Sequence, residues 1–521
     1  MGGSQSKVTL DEVPVHAKWG ENIMRDDRQE PSASESPEGL PKGKSVSRRE
    51  FLKIAGVAGA AVGAGAGLGG LIAACGGTAE TTTTTAGPTT TAAPATTTTA
   101  APATTTTSAG PEAGREIKVG VVSPLTGPIA IFAIADKWGI DLVKEFLGDE
   151  MVLGDGKLHK VSWLLRDTQS DDSRASQVTA DLILNDKVDI LSVGGSPTTA
   201  VPAAVQAETN GTPILCSNCP WGAIVFGRYP DLKNPADCPD KWVFGSLFGV
   251  EQATRALVGV LDQIPTNKVA GLFLGNTLDT QAWQTPGIGF EDTLKAAGYT
   301  VVNPGYFNLG TEDFTAMISE YKKAGCEINV GSNPGKDFPN FWTQCAQQGY
   351  KPKACNEMIG LGAYSDQLAM GNAAFGIIQI FTWHKSWPYN DFISGMTNVQ
   401  LADRYEKDLN QPWDQFITGY MRCGWVVDVL KRTKDLDNKE SVLEAIKATK
   451  LELITGPIDL TIPVDPTGLR VTPNIWKQPI SLGQLQKGTT WAVEAPMVAA
   501  VDAPGVTAAD LVKPFTIEWG A

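Results

Sequence analysis

The sequence predicts an α/β protein whose sheets are parallel and covered on both faces, and three observations carry that expectation. From Ile117 onward, short apolar runs alternate with stretches of helical spacing. The runs are continuous and rich in Val, Ile and Leu, as strands buried on both faces require. The chain has 521 residues, enough for two substantial cores once polar tails are set aside.

In order, Ile117–Val122 reads as a strand and Ala133–Phe146 as a helix. Val161–Leu165 is a strand and Arg174–Leu184 a helix, followed by a strand at Ile190–Gly194, a helix at Val201–Ala207 and a strand at Ile214–Cys216. The same beat resumes at Leu257–Leu261, Val269–Leu274, Phe290–Ala297, Phe314–Lys323, Ile328–Gly331, Phe338–Gln347 and Ile377–Phe381. Gln415–Leu430 and Ser441–Lys447 show helical spacing, and Gly456-Pro457-Ile458-Asp459 returns to a strand-like pattern. Short strands alternating with amphipathic helices build parallel sheets layered by helices.

Composition bounds the function. Hydrophobic residues make up 42% and charged residues 19%, an ordinary globular balance. A formal charge of -14, with no Lys/Arg stripe to offset it, argues against a nucleic-acid partner. Three histidines leave no basis for histidine-rich metal chemistry, and neither metal nor cofactor is expected. The 14 tryptophans are the unusual feature. Most suit core packing, and some suit the wall of an apolar pocket.

The N-terminal part reads as an address. Residues 1–46 are polar. In 47–74, Arg48-Arg49 precedes an apolar run of small residues from Ile54 to Ala74, which ends Leu71-Ile72-Ala73-Ala74-Cys75-Gly76. A basic pair before such a run reads as an export signal. It resembles a twin-arginine signal joined to a lipoprotein cleavage box, which implies a diacylglycerol on Cys75 and a lipid anchor on the extracytoplasmic face of the cell membrane. The competing reading is a transmembrane helix, long enough but weakly hydrophobic because it is mostly Ala and Gly. Gly65-Ala66-Gly67-Leu68-Gly69-Gly70 has dinucleotide-loop spacing but lacks the flanking strand and helix that motif needs. Residues 75–113 are dominated by Thr, Ala, Pro and Gly and read as a tether that cannot bury enough surface to fold.

Parallel sheets bind ligands beyond the carboxyl ends of their strands. There the sequence places Ser123-Pro124-Leu125-Thr126-Gly127-Pro128, then Gly194-Gly195-Ser196-Pro197-Thr198-Thr199, then Cys216-Ser217-Asn218. Small hydroxyl residues with free backbone N–H groups can hold a carboxylate by neutral hydrogen bonds and helix N-termini. Singly, such residues are ordinary turn formers; three loops of one kind point to a site.

These loops resemble those of the type I periplasmic binding proteins for branched-chain amino acids, and the resemblance covers roughly residues 114–521. It implies two Rossmann-like lobes joined by three crossovers, closure on a small-molecule carboxylate, and delivery to the permease of an ABC importer. The crossovers are expected near 243–248, 378–382 and 455–460. The first lobe would then hold 114–246 and 380–455, and the second 247–379 and 456–521. By the same resemblance Phe132 is the aromatic wall, Ser196 and Ser217 bind the ligand carboxylate, and Glu357 meets its ammonium. Thr126, Thr198 and Asn276 complete the polar candidates. Gly275-Asn276-Thr277-Leu278-Asp279 stands where the family has a tyrosine, and Thr382-Trp383-His384-Lys385 is unusually aromatic. Trp221, Phe248, Trp283 and Trp383 therefore point to a flatter ligand such as an aromatic carboxylate, while His384 and Lys385 suit an anionic group.

Outside the cytoplasm disulfides persist. Cys219–Cys238 and Cys345–Cys355 are the expected pairs among seven cysteines after Cys75. Cys216-Ser217-Asn218-Cys219 is also open to a redox or metal reading, weakened because no histidine accompanies it. The chain shows no G-x-S-x-G elbow, H-E-x-x-H or phosphate loop, so it is expected not to be an enzyme. A monomeric domain is expected. A ligand-sensing subunit for a membrane signalling partner is the alternative to transport, and an extracytoplasmic enzyme the remote one.

Overall fold

The computed structural model describes residues 110–519 except Pro334. Arg48, Arg49 and Cys75, and with them the signal and nearly all of the tether, lie outside the described residues.

The strands in chain order are β1 (Ile117–Ser123), β2 (Glu150–Val152), β3 (Leu158–Asp167), β4 (Ile190–Val193), β5 (Ile214–Cys216) and β6 (Val243–Leu247). Next come β7 (Val269–Gly275), β8 (Thr300–Val302), β9 (Tyr306–Phe307), β10 (Ile328–Gly331), β11 (Ala354–Glu357) and β12 (Ile377–Phe381). The last are β13 (Lys450–Leu453), β14 (Gly456–Asp459), β15 (Ile475–Lys477), β16 (Ile480–Gln484), β17 (Gln486–Lys487), β18 (Val493–Glu494) and β19 (Met497–Val501).

They form two main sheets. One has the order β15-β6-β5-β4-β1-β3-β2, the other β19-β16-β12-β11-β10-β7-β8, with β9 added beside β7. In the first, all pairings are parallel except β2 with β3. In the second, β7, β8, β10, β11 and β12 run parallel, and β16 and β19 add an antiparallel edge. Each parallel core is built from strands that are almost wholly buried, which explains the absence of polar alternation in the sequence.

In each sheet the chain reverses winding direction beside its first parallel strand, at β1 between β3 and β4, and at β7 between β8 and β10. Such reversals leave a crevice at the strands' carboxyl ends. The chain passes to the second sheet after β6, through Phe248–Gly249, and returns after β12 at Thr382.

The third passage departs from expectation. The strand-like signal at Gly456–Asp459 belongs to β14, which pairs with β13 in a local hairpin. Leu453, Ile454, Ile458 and Leu460 are buried in the first lobe's core, and β15 still pairs with β6. The final crossover is therefore at Lys477–Ile480 rather than 455–460, and residues 456–477 belong to the first lobe.

One buried ion pair organises the binding edge of the first lobe. The helices Ile134–Leu147 and Thr418–Arg432 pack closely, because a side chain at Gly139 would strike the Tyr420 backbone and one at Gly419 would strike that of Ala135. Between them Arg422 pairs with Asp136, both essentially without solvent exposure. Arg422 Nη1 donates to Ser217 Oγ at 2.9 Å, and Ser123 Oγ donates to Asp136. A Cβ at Gly194 would overlap the guanidinium, so glycine is needed there. The pair thus ties together the ends of β1, β4 and β5.

Taking one partner away leaves an uncompensated buried charge. Arg422→Met is expected to lower unfolding free energy by about 3–5 kcal/mol, and the Arg422→Met/Asp136→Leu double variant to recover much of that loss. Urea denaturation of both variants checks this; additive losses would contradict it.

Candidate solute site between the lobes

The carboxyl ends of the two parallel sheets face one another across a cavity of about 30 Å³. The first lobe contributes Phe132, Ser196, Pro197, Asn218, Pro220, Gln415 and Phe416. Asp279, Trp283, Ile359 and Ile380 come from the second, with Phe248 and Thr382 on the crossing segments. That volume holds about two water molecules, whereas a cavity accepting a benzene ring is about 150 Å³. A ring-sized solute therefore requires the lobes to separate and close again around it.

Ser196 caps the helix Pro197–Thr209 and is 1% exposed, yet its Oγ has no hydrogen-bond partner. Asn218 holds the left-handed φ of 54°, a conformation asparagine tolerates better than most residues. Its Oδ1 accepts from Thr418 Oγ1 at 2.7 Å and from Thr382 Oγ1 at 3.2 Å, while its buried Nδ2 has no partner. Gln415 Oε1 accepts from the Thr382 N–H at 3.1 Å. The first lobe thus offers unpaired neutral donors, and a buried donor without a partner is costly unless a ligand or water serves it.

Asp279, at the start of the short helix Leu278–Ala282, is the only charged residue on this cavity among the described residues. Its carboxylate accepts from Thr198 Oγ1 of the opposite lobe at 3.1 Å and faces Ser196. Burial pushes its pKa up to about 6, against the pull of the Thr198 hydroxyl. The walls are aromatic. Phe132 and Phe416 meet edge to face at 4.8 Å between centroids, and Phe248 lies 5.9 Å from Trp283, which stacks on Phe290.

Of the residues expected from sequence, Phe132, Ser196, Phe248 and Trp283 line the cavity and Thr198 touches it through Asp279. The others lie elsewhere. Thr126 is exposed and donates to Asp167 at 2.7 Å, and Asn276 is exposed and accepts from Gln281 at 3.2 Å. Ser217 is taken up by Arg422. Trp221 is buried and donates from Nε1 to Glu251 at 3.1 Å, a bond between the lobes beside the first crossing. Trp383 is a fully buried core residue of the first lobe. Glu357 accepts from the Asn333 N–H at 2.6 Å, Asn333 Nδ2 at 2.9 Å and the Gly360 N–H at 3.2 Å, fastening a second-lobe loop instead of facing the cavity.

Asp279 was within reach of sequence reasoning, since it closes the segment that replaces the family's tyrosine. Gln415 and Phe416 carried no such signal, because they arrive from a distant stretch of chain. The expected disulfides are not formed: all seven cysteines among the described residues are free and buried. Burial pushes the Cys216 and Cys238 thiols up to about 12 and holds Cys219 and Cys355 well above their usual value. They pack as small apolar side chains, with little of the thiolate that disulfide exchange requires. No cluster of potential metal ligands occurs among the described residues.

Comparison with known proteins agrees with this architecture. Residues 116–472 match the periplasmic binding protein family. This chain belongs to that family. It is 21% identical over 403 residues to the Leu/Ile/Val-binding protein homolog 6 of Brucella melitensis, covering 75% of this chain and 94% of the relative. It is similar in structure to a leucine-binding protein from Thermotoga maritima, with a TM-score of 0.60, 18% identity, and 75% and 100% of the two chains covered. A solute-binding protein of an ABC transporter from Rhodopseudomonas palustris, in complex with 3,4-dihydroxybenzoic acid, superposes with a TM-score of 0.57 at 22% identity, covering 75% and 99%. An isoleucine complex of a branched-chain amino acid transporter substrate-binding protein from Streptococcus pneumoniae gives 0.57 at 16%, covering 73% and 99%. The fold is that of type I periplasmic binding proteins, and the family is one of solute-binding proteins.

The raised Asp279 pKa has a sign that can be tested. Between about 4 and about 6 the folded, closed protein holds a proton that the unfolded chain has released, so this carboxyl's contribution to stability falls as pH rises through that window. Asp279→Asn is expected to melt close to the parent near pH 4 and above it by a growing margin up to pH 6–7. Melting curves across pH check this, and a constant offset would refute it.

Proposed function

We propose that this chain captures a small carboxylate outside the cytoplasm and delivers it to the permease of an ABC importer. The observation that carries the reading is the inter-lobe cavity, with unpaired neutral donors on one lobe and a single carboxylate on the other.

The solute's carboxylate would take the free Ser196 Oγ and Asn218 Nδ2 donors, near the start of the helix Pro197–Thr209. Its ammonium, or a hydroxyl on an aromatic acid, would meet Asp279. Its apolar body would lie between the Phe132–Phe416 and Phe248–Trp283 pairs. An amino acid with a flat or branched side chain satisfies all three, and a hydroxybenzoate satisfies them with its phenolic hydroxyl. Solute held by both lobes favours the closed state by its differential affinity for it, so loaded and unloaded protein differ in shape at the surface a permease meets. No chemical change to the solute is part of this reading.

The address supports the same placement. A twin-arginine signal at Arg48-Arg49 and a diacylglyceryl Cys75 would hold the binding domain on a Thr/Ala/Pro tether at the outer membrane face. Cys75→Ala is then expected to move the chain from the membrane fraction to the medium or periplasm; unchanged retention would argue against the anchor.

The binding role is tested by calorimetry of the full-length chain with phenylalanine, leucine, isoleucine and hydroxybenzoates. One of these is expected to bind, and Ser196→Ala to cost about 1.5–3 kcal/mol of that affinity through loss of a charge-assisted hydrogen bond. For an ammonium-bearing solute, affinity should rise with pH up to about 6, by at most about tenfold per pH unit, as Asp279 ionises. Failure of every carboxylate to bind, or an unchanged affinity in Ser196→Ala, would overturn the assignment.

A further inference from the structure

A second and larger cavity, of about 430 Å³, lies on the far side of Gln415 and Phe416, which line both. The second crossing segment divides them: Ile380 and Thr382 face the small cavity, Phe381 and His384 the large one. Its size falls within the range of small-molecule sites. Its walls come from the first-lobe loop 411–416 and from second-lobe residues 362–368 and 491–496.

The polar groups on these walls include two engaged carboxylates, one lysine and a set of open amides. Asp414 accepts from Tyr405 Oη at 2.6 Å and from the Phe416 N–H at 2.7 Å. Glu494 accepts from the backbone N–H groups of Thr489, Thr490 and Trp491, and draws the charge of Lys385, whose Nζ lies 5.9 Å from the Trp413 ring centroid. By contrast the side chain of Gln379, only 4% exposed, makes no hydrogen bond among the described residues. Trp491 Nε1 is buried and unpaired. Gln411 has spent its Nε2 on Tyr405 Oη, leaving Oε1 open, and Gln415 has spent its Oε1 on Thr382, leaving Nε2 open. Donors and acceptors are therefore interspersed on walls that also carry Trp413 and Trp491.

We propose that this cavity binds a neutral, polyhydroxylated ring, a sugar of one or two units. A hydroxyl donates and accepts at once, which matches interspersed amide and indole groups. The C–H faces of a pyranose cover indole rings without needing a charge. Asp414 and Glu494 are already held by hydrogen-bond donors, so a cationic ligand would gain little from them. Because the walls belong to both lobes, an occupant touches both and stabilises their closed arrangement. The site is thus an effector site for closure, separate from the solute cavity.

Tryptophan fluorescence and calorimetry of the full-length chain with glucose, N-acetylglucosamine and maltose, with benzoate and benzylamine as charged comparators, test this. At least one neutral sugar should bind saturably and raise the melting temperature. Gln379→Ala and Trp491→Leu should each weaken it by about tenfold or more, the loss of one buried hydrogen-bond group. A crystal structure of the parent chain with the bound sugar locates the site whether or not the variants fold. Density beside Trp491 and Gln379 is expected; density in the smaller cavity, no sugar binding, or binding of the charged rings alone would overturn the proposal.

Discussion

Arg422 and Asp136 meet where water does not reach, and the carboxyl ends of three first-lobe strands are arranged around them. The guanidinium needs Gly194 to lack a side chain, takes Ser217 as an acceptor, and is neutralised by a carboxylate that also receives Ser123. A buried pair of this kind adds little net stability against an apolar replacement, but it tolerates no displacement of either partner. Its effect is on position. The loops that begin at Ser123, Gly194 and Cys216 are all referred to one fixed charge.

That arrangement decides what the cavity presents. Ser217 is consumed by the pair, so the donors left for a ligand are Ser196 and Asn218. The positive charge is cancelled beneath the surface, and the cavity itself receives only neutral donors from the first lobe. The second lobe answers with Asp279, which bonds to Thr198 across the gap. Holding a carboxylate in that buried place raises its pKa, so the closed structure carries an unfavourable term that a cationic or hydrogen-bonding solute relieves. Closing on solute is favoured by the same physics that penalises closing without it.

Much of this was legible in the sequence, for identifiable reasons. Strands buried on both faces announce themselves as continuous apolar runs, so β1, β4, β5, β7, β10 and β12 were anticipated closely. The place of Ser196 on the cavity was legible because it follows a buried strand run at the carboxyl end of the sheet. The third crossover was misplaced because Gly456–Asp459 is a strand that pairs locally, and periodicity does not reveal a partner. Glu357 and Ser217 were misread for a related reason: their hydrogen-bonding capacity is used by Asn333 and Arg422, residues distant in sequence. Trp383 and Trp221 were drawn toward the pocket by their size and are instead core and hinge. Cysteines expected to pair proved to be small apolar filling, which spacing alone cannot distinguish.

The central claim is that one small molecule is held by both lobes at once. Hydrogen–deuterium exchange of the full-length chain, with and without the carboxylate that binds, tests it most directly. The account predicts simultaneous protection of residues 194–199 and 216–221 in the first lobe and 277–283 in the second. Protection confined to one lobe, or absent from both segments of the first, would contradict it.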